Sequence, residues 1–215
     1  MAPSANLELD HALIAVADLE SGAQEFDERY GLASVPGGRH QGWGTANRIV
    51  PLGEAYLELI AVVDEAEAAQ SAFGTWVTHA DPGQPLGWAV RTDALDDVAR
   101  RLGLSVSANS RAADDGRVLR WRLAGVEQAA AEPSIPILVE WGEGTPHPGR
   151  IPINHRAGSV EMTGLHLDGD PDRVATWLGA HELPISVASG GPAVKGIVLA
   201  GAAGEIVIEG PDRHT

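Results

Sequence analysis

Residues 9–16 read LDHALIAV, an apolar run of the length of a β-strand. Asp18 follows as the N-cap of a helix over residues 19–30, where apolar side chains recur at helical spacing until Gly31 ends the helix. Three more apolar segments come next, separated by glycine and proline turns: residues 32–35, 45–52 and 55–63. The predicted order is one strand, one helix and three strands, a βαβββ module.

The same order of elements returns twice along the chain. The second copy is predicted at residues 86–90, 95–102, 105–108, 118–123 and 135–141, and the third, shorter copy at 160–167, 171–178, 185–188, 193–199 and 205–209. Asp93 and Asp170 are the predicted N-caps of the two later helices. Each copy ends in an apolar strand that carries a glutamate: Glu58, Glu140 and Glu209. Such a repeat predicts an α+β fold of tandem modules.

The repeat divides the chain into three regions. Paired modules occupy residues 7–142, with module one at 7–64, a linking helix at 65–80 and module two at 84–142; a connector at 143–158 and a third βαβββ-like module at 159–211 follow. The connector is rich in Gly, Pro and His, and a segment of this kind inside a compact chain is often functional.

Composition excludes several classes of protein. The 215 residues contain no cysteine, which rules out disulfides, thiolate metal sites and cysteine nucleophiles. The formal charge of -15 argues against nucleic acid as a partner, and no apolar window has the length of a membrane span. No G-x-S-x-G elbow is present, so a serine hydrolase is disfavoured. We expect a cytoplasmic, bacterial protein whose partner is a small molecule, with no membrane partner.

The sequence resembles the vicinal-oxygen-chelate superfamily, and within it the bacterial glyoxalase-like domain proteins. The similarity extends over roughly residues 7 to 150. It is carried by LDH at 9–11 with DL at 18–19, GGRHQGWGTAN at 37–47, YLEL at 56–59, Arg111 with Asp115-Gly116, WR at 121–122, and EW at 140–141 followed by HP at 147–148. The resemblance implies that two modules pair and that their sheets curl into a cup.

The resemblance also implies a divalent ion held by the first and last strands of each module. Here His11, Glu58 and Glu140 are the matching residues, whereas Gly87 or Trp88 stands where the fourth ligand is expected. Such a set suits Fe(II), Mn(II), Zn(II) or Ni(II). The alternative is that the three polar side chains line a pocket and satisfy each other or an arginine by hydrogen bonds.

Other candidate site residues lie in the glycine-rich segment and on the strands. We interpret residues 37–47 as a mobile edge over the cup and His40 as a candidate catalytic residue, with an ordinary loop histidine as the alternative. Trp88 either floors the cup or fills the core, and Arg120 either binds a substrate carboxylate or pairs with an acidic group. The full set of candidate substrate-binding residues is Arg39, Trp43, Thr45, Asn47, Tyr56, Trp88 and Arg120.

These expectations favour a divalent-metal-assisted lyase, isomerase or dioxygenase that acts on a small oxygenated substrate. The alternative is a metal-free protein that binds or sequesters a small molecule, as drug-resistance proteins of this fold do. The third module is expected to pack against the paired modules or against another subunit, which leaves a homodimer open.

Overall fold

The computed structural model describes residues 6–112 and 117–210. Its elements follow the predicted order, with three repeats of strand, helix and strands. The strands are β1 Glu8–Ala15, β2 Val35–His40, β3 Thr45–Pro51, β4 Tyr56–Val62, β5 Pro85–Arg91, β6 Ser107–Ala112, β7 Val118–Ala124, β8 Ile137–Trp141, β9 Val160–Gly169, β10 Ile185–Ser189, β11 Ala193–Gly201 and β12 Gly204–Glu209. The helices are α1 Leu19–Tyr30, α2 Glu65–Ala68, α3 Ala72–Thr78, α4 Leu95–Leu102, α5 Val126–Ala131 and α6 Pro171–Leu178, with a 3-10 turn at Pro148–Arg150.

Local sequence signals explain where the helices begin and end. Asp18 caps α1 by accepting hydrogen bonds from two backbone amides of its first turn, and Gly31 ends it with a positive φ of 69°. Asp170 caps α6 in the same way, ahead of Pro171 in the first helical position. The predicted cap Asp93 is wrong, because the N-cap of α4 is Ala94 and has no side-chain cap.

Three elements differ from the prediction. The linking segment forms two helices, because Ser71 starts a new one by accepting from the Gly74 amide at 2.9 Å. Helix α5 has no counterpart in the prediction. The glycine-rich segment is the hairpin β2–β3, whose pairing is irregular between Pro36 and Arg39. A proline is tolerated there because β2 is the outermost strand.

The paired modules share one curled sheet. Its strand order is β2-β3-β4-β1-β5-β8-β7-β6, so the two modules meet where β1 runs antiparallel to β5. The outermost strands approach one another, since the Arg111 guanidinium on β6 donates to the Gly37 carbonyl on β2. The expected α+β cup of paired modules is confirmed.

The third module forms a separate four-stranded sheet in the order β10-β9-β11-β12. This order differs from that of the first two modules, because β9 is flanked by β10 and β11 rather than lying at an end. Its apolar residues, such as Leu165, Ile197 and Trp177, belong to the same core as Trp88 and Val90 of β5. The third module therefore covers the convex face of the eight-stranded sheet.

A second core fills part of the concave face. Leu13 and Ile60 of module one join Ile137 and Val139 of module two there, and Phe73 of α3 packs against them. Helix α3 of the linking segment thus covers part of the concave face. No helix among the described residues has the length and apolar character to cross a membrane.

Candidate functional site

The site begins with an irregularity in β1. Pairing with β5 passes from Leu9 opposite Val90 to His11 opposite Ala89, so Asp10 is an extra residue without a partner. Such a bulge changes the direction of a side chain. Asp10 and His11 consequently lie together, and Nδ1 of His11 donates to Oδ1 of Asp10 over 2.6 Å.

Asp10 is the centre of a buried hydrogen-bond network. Its Oδ2 accepts from the Trp141 indole at 2.8 Å and from Nε2 of His147 at 3.0 Å, and the side chain is fully buried. Burial by itself would raise the pKa of Asp10, but hydrogen bonds and charge from His11 and His147 outweigh it and hold the pKa far below its usual range. Asp10 is therefore a permanent carboxylate.

His11 lies between two carboxylates. Its Nε2 atom is 3.4 Å from Oε2 of Glu58, and its ring stacks on Tyr56 with centroids 4.6 Å apart. Burial would lower the pKa of His11, but the hydrogen bond to Asp10 and the charges of Asp10 and Glu58 raise it above 6.5. Burial and the same two carboxylates raise the pKa of Tyr56 well above 10, so its hydroxyl stays neutral.

His40 has a different environment on the other side of Glu58. Its Nε2 atom is 3.5 Å from Oε1 of Glu58, and its Nδ1 atom is 2.9 Å from the Thr45 hydroxyl. Burial lowers the pKa of His40 below 6.5; the charge of Glu58 opposes this, and the charges of Arg111 and His11 add to it. His40 is therefore the neutral histidine of the pair.

Asn47 fixes the orientation of this half of the site. Its Oδ1 accepts from the Gly38 amide at 2.6 Å, so its Nδ2 must face Glu58, to which it donates at 2.7 Å. The same Nδ2 lies 3.3 Å from Nε2 of His40. Nε2 of His40 is then the lone-pair nitrogen, and the proton of the neutral ring is on Nδ1, facing Thr45.

The structure brings together six of the residues proposed from the sequence: His11, His40, Thr45, Asn47, Tyr56 and Glu58. Trp43 lies at the edge of this group, with its ring 4.6 Å from that of Phe73 and 5.8 Å from that of His40. The remaining predicted residues lie elsewhere. Asp115 and Gly116, which were part of the resemblance, lie outside the described residues.

Four predicted site residues do not face the cup. Arg39 is paired with Asp64 and Glu67 on the surface. Trp88 fills the convex core, and its indole donates to the Ser134 carbonyl. Arg120 is exposed on the opposite side of β7 from Trp121. Glu140 binds Arg122 at 2.7 Å, and Arg122 also pairs with Asp96 of the outer helix α4, so Glu140 points outward.

These positions decide whether the residues fit the metal implied by the family resemblance. Of its four strand positions, only His11 and Glu58 offer ligands toward the concave face, since Glu140 points outward and β5 presents Gly87 and Ala89 there. Asn47 places an amide donor, which cannot bind a cation, against Glu58. Among the described residues no group of three or more His, Asp or Glu could hold a metal ion. The predicted triad is not formed, and the residues do not fit this group.

Sequence reasoning missed Asp10 and Trp141 as parts of the site. Strand alternation places Asp10 on the face opposite His11, and the bulge that overrides it involves β5, far away in sequence. His147 was part of the resemblance and of the connector, but it was not among the predicted site residues. The other connector histidine, His155, has a structural role, because it binds the Ala33 amide and the Pro51 carbonyl.

An open cleft lies elsewhere on the described part of the chain. It has a volume of about 960 Å³ and is lined by residues around Leu52–Ala55 and Ala180–Pro184. None of the residues of the polar cluster lines it. The chemistry-bearing groups and this cleft are therefore distinct.

The chain matches one family model and is similar in fold to several solved structures. A family model described as a glyoxalase-like domain matches residues 9–183. A hypothetical protein from Staphylococcus aureus shares 14% identity and a TM-score of 0.70, covering 91% of this chain and 92% of that one. The methylmalonyl-CoA epimerase of Mycobacterium tuberculosis shares 23% identity and a TM-score of 0.42, covering 62% of this chain and 85% of that one. No curated protein matches.

Proposed function

Because the chain belongs to the glyoxalase-like domain family of the vicinal-oxygen-chelate superfamily, we propose that it is an enzyme that moves a proton at the carbon next to the carbonyl group of a small oxygenated substrate. One observation supports this proposal above all others. His11 and His40 flank one carboxylate, that of Glu58, and their surroundings shift their pKa values in opposite directions. Titratable groups whose pKa values are driven apart are the usual mark of an acid and a base.

His11 is the proposed acid. Against the effect of burial, the hydrogen bond to Asp10 and the charges of Asp10 and Glu58 raise its pKa and so favour the protonated ring, and Asp10 holds Nδ1 so that Nε2 faces Glu58. When electrons move onto the carbonyl oxygen of a substrate, Nε2 donates its proton to that oxygen. General acid catalysis of this kind typically contributes about 10² to 10⁴ in rate.

His40 is the proposed base. Its neutral ring presents the lone pair of Nε2, and the 3.3 Å contact with the Asn47 amide is long enough for a substrate to displace. Nε2 of His40 takes the proton from carbon, the electrons of the C–H bond form the C=C bond of an enediol, and the carbonyl oxygen receives the proton of His11. Return of a proton from His40 to either carbon, with transfer of the proton of the enediol hydroxyl on the other carbon to His11, regenerates a carbonyl group and completes an isomerisation or an epimerisation without an oxidant.

Glu58 and Tyr56 position the acid. The charge of Glu58 helps to keep His11 protonated, and the neutral Tyr56 ring stacks on the imidazole and limits its rotation. Glu58 also accepts a hydrogen bond from the Asn47 amide. One carboxylate therefore contacts the surroundings of both His11 and His40. No step requires a metal ion.

Solvent exchange tests the proposal directly. The probes are hydroxyacetone and 2-hydroxyacetophenone in D₂O, with loss of the proton signal next to the carbonyl followed by NMR. We expect exchange above the buffer rate, and a loss of at least about 10²-fold in His40→Gln and in Glu58→Gln.

Glu140→Gln is the matched control, because it makes the same change at the corresponding strand of module two, where the side chain points outward. It should exchange at the unaltered rate. Exchange at the buffer rate by the unaltered protein overturns the proposal, and binding without exchange would instead identify a small-molecule binding protein. Equal rates in Glu58→Gln and Glu140→Gln would also contradict it.

A further inference from the structure

The two halves of the cup have opposite character. Module one presents His11, Tyr56 and Glu58 on its concave face, whereas the facing strands of module two present Ile137 and Val139. Two tryptophans of module two, Trp121 and Trp141, pack against this apolar half and pair with each other across β7 and β8. A substrate that fills the cup therefore meets polar groups on one side and an aromatic surface on the other.

The four tryptophans on the concave side differ in exposure from the two on the convex side. Trp88 and Trp177 are fully packed in the convex core, with exposed fractions of 0% and 2%. The concave tryptophans are all partly exposed: Trp43, Trp76, Trp121 and Trp141. Among these, Trp121 and Trp141 have centroids 6.2 Å apart and planes inclined by 44°, and both residues are partly exposed.

The aromatic surface is connected to the proposed acid. The Trp141 indole donates to Oδ2 of Asp10, whose other oxygen binds His11. A ring that rests on the Trp121–Trp141 pair is thus connected, through the Trp141 indole and the carboxylate of Asp10, to the imidazole that protonates the substrate. An aromatic ring with an oxygenated carbon chain attached spans both halves.

We propose that Trp121 and Trp141 form a binding surface for the aromatic ring of the substrate, which makes the substrate class the aryl α-hydroxyketones and related aryl carbonyl compounds. This inference rests on the proposed function for the position of the carbonyl group. It assigns to module two the role of substrate selection, while module one carries the proton transfer.

The test compares two neutral ligands that differ only in phenyl against methyl, namely 2-hydroxyacetophenone and hydroxyacetone. Isothermal titration calorimetry should show binding of the aryl compound at least about tenfold tighter than binding of the methyl compound. Trp121→Ala should remove this preference, and Trp121→Phe should retain most of it. Arg120→Ala is the matched control, because it alters the adjacent residue on the opposite face of β7 and should leave the preference unchanged.

Calorimetry measures binding and not exchange, so the two proposals fail separately. A phenyl preference that depends on Trp121 but occurs without proton exchange would support the aromatic surface and overturn the proposed reaction. Exchange of both ketones with equal affinities, or an unaltered preference in Trp121→Ala, would overturn the aromatic surface. Failure of the unaltered protein to bind either ligand would overturn it as well.

Discussion

His11 has a carboxylate near each nitrogen of its ring, whereas His40 has a hydroxyl at one nitrogen and both the Asn47 amide and an oxygen of Glu58 near the other. An imidazolium ring has two donors and is stabilised by two negative partners, while a neutral ring has one donor and one acceptor. The neighbours thus determine the charge of each histidine. Glu58 faces both rings, and Arg111 adds positive charge near His40.

The pH dependence of exchange follows from these shifts. The base His40, whose pKa is lowered, is lost by protonation as pH falls through a value below 6.5. The acid His11, whose pKa is raised, is lost by deprotonation as pH rises through a value above 6.5. We expect a bell-shaped profile of kcat/KM, measured by NMR exchange from pH 4 to 10. A profile that rises steadily with pH would show that His11 is not the acid.

Asp10 should also support the folded state. Asp10→Asn leaves His11 and His147 facing an amide instead of a carboxylate, and breaking a buried charged pair typically costs about 3 to 5 kcal/mol. Urea denaturation should show a loss in that range. Asp18→Asn is the control, because it makes the same change at an exposed N-cap where asparagine serves as well. Equal losses in both variants would contradict a central role for Asp10.

At the residue scale, alternation of side chains along a strand puts His11 on one face of β1 and Glu58 on one face of β4. The pairing of His11 with Tyr56 shows that these two faces coincide. Alternation could not assign Glu140, because its direction depends on where β7 and α4 place Arg122 and Asp96. The direction of the Glu140 side chain is thus set by partners that are distant in sequence.

Among the elements, the 3-10 turn of the connector connects the site to the edge of module one. The Gly149 carbonyl accepts from the Gly53 amide at 2.8 Å, and the Gly149 amide donates to Nδ1 of His147 at 3.1 Å. This second bond leaves Nε2 of His147 to donate to Asp10. The connector was expected to be of a kind that is often functional. Through this turn it supplies His147 to the hydrogen-bond network of Asp10.

Gly149→Ala should therefore disturb the site from a distance. A Cβ at this position would collide with the backbone oxygens of Gly53 and Ala55, which are not free to move aside as a flexible side chain would be. We expect a loss of about 1 to 3 kcal/mol in the free energy of unfolding, measured by urea denaturation, together with slower exchange. Gly191→Ala is the control, since nothing lies within 4 Å of its added Cβ. Unchanged exchange in Gly149→Ala would contradict the role of the turn.

Helix ends and element order could be predicted because they depend on local signals such as Asp18, Gly31 and Asp170. The hairpin β2–β3 was not predicted from its glycines, because its pairing across the sheet overrides their preference for a break. The break at Ser71 inside the linking helix was missed as well, although a serine is a favoured N-cap. Local preference is decisive only where no tertiary contact competes.

At the scale of the molecule, the paired modules have the same order of elements but different side chains on the concave face of the sheet. The sheet order of module two is that of module one in reverse, which brings β1 beside β5. Gly87 and Ala89 then stand on β5 where His11 stands on β1. The duplicated fold retains the cup, while β1 and β4 of module one carry His11 and Glu58 where β5 and β8 of module two carry Ala89 and Val139.

This asymmetry leads to a prediction on metal dependence. Because two of the four implied ligand positions lack a ligand that faces the cup, removal of divalent ions by a chelator should leave the rate of proton exchange unchanged, within about twofold. Inductively coupled plasma mass spectrometry on protein purified without an affinity tag should find less than about one ion per ten chains. An exchange rate that falls with chelator and returns on addition of one divalent ion would contradict the proposed acid–base pair.

The opposite protonation states of His11 and His40 are the central claim, and nitrogen NMR of the imidazole side chains at pH 7 tests it most directly. Signals are assigned by comparison with His11→Gln and His40→Gln. We predict that both ring nitrogens of His11 have the shift of a protonated imidazolium, and that His40 has one protonated and one lone-pair nitrogen, the proton being on Nδ1. A neutral His11 at pH 7, or two histidines with the same protonation state, would contradict the account.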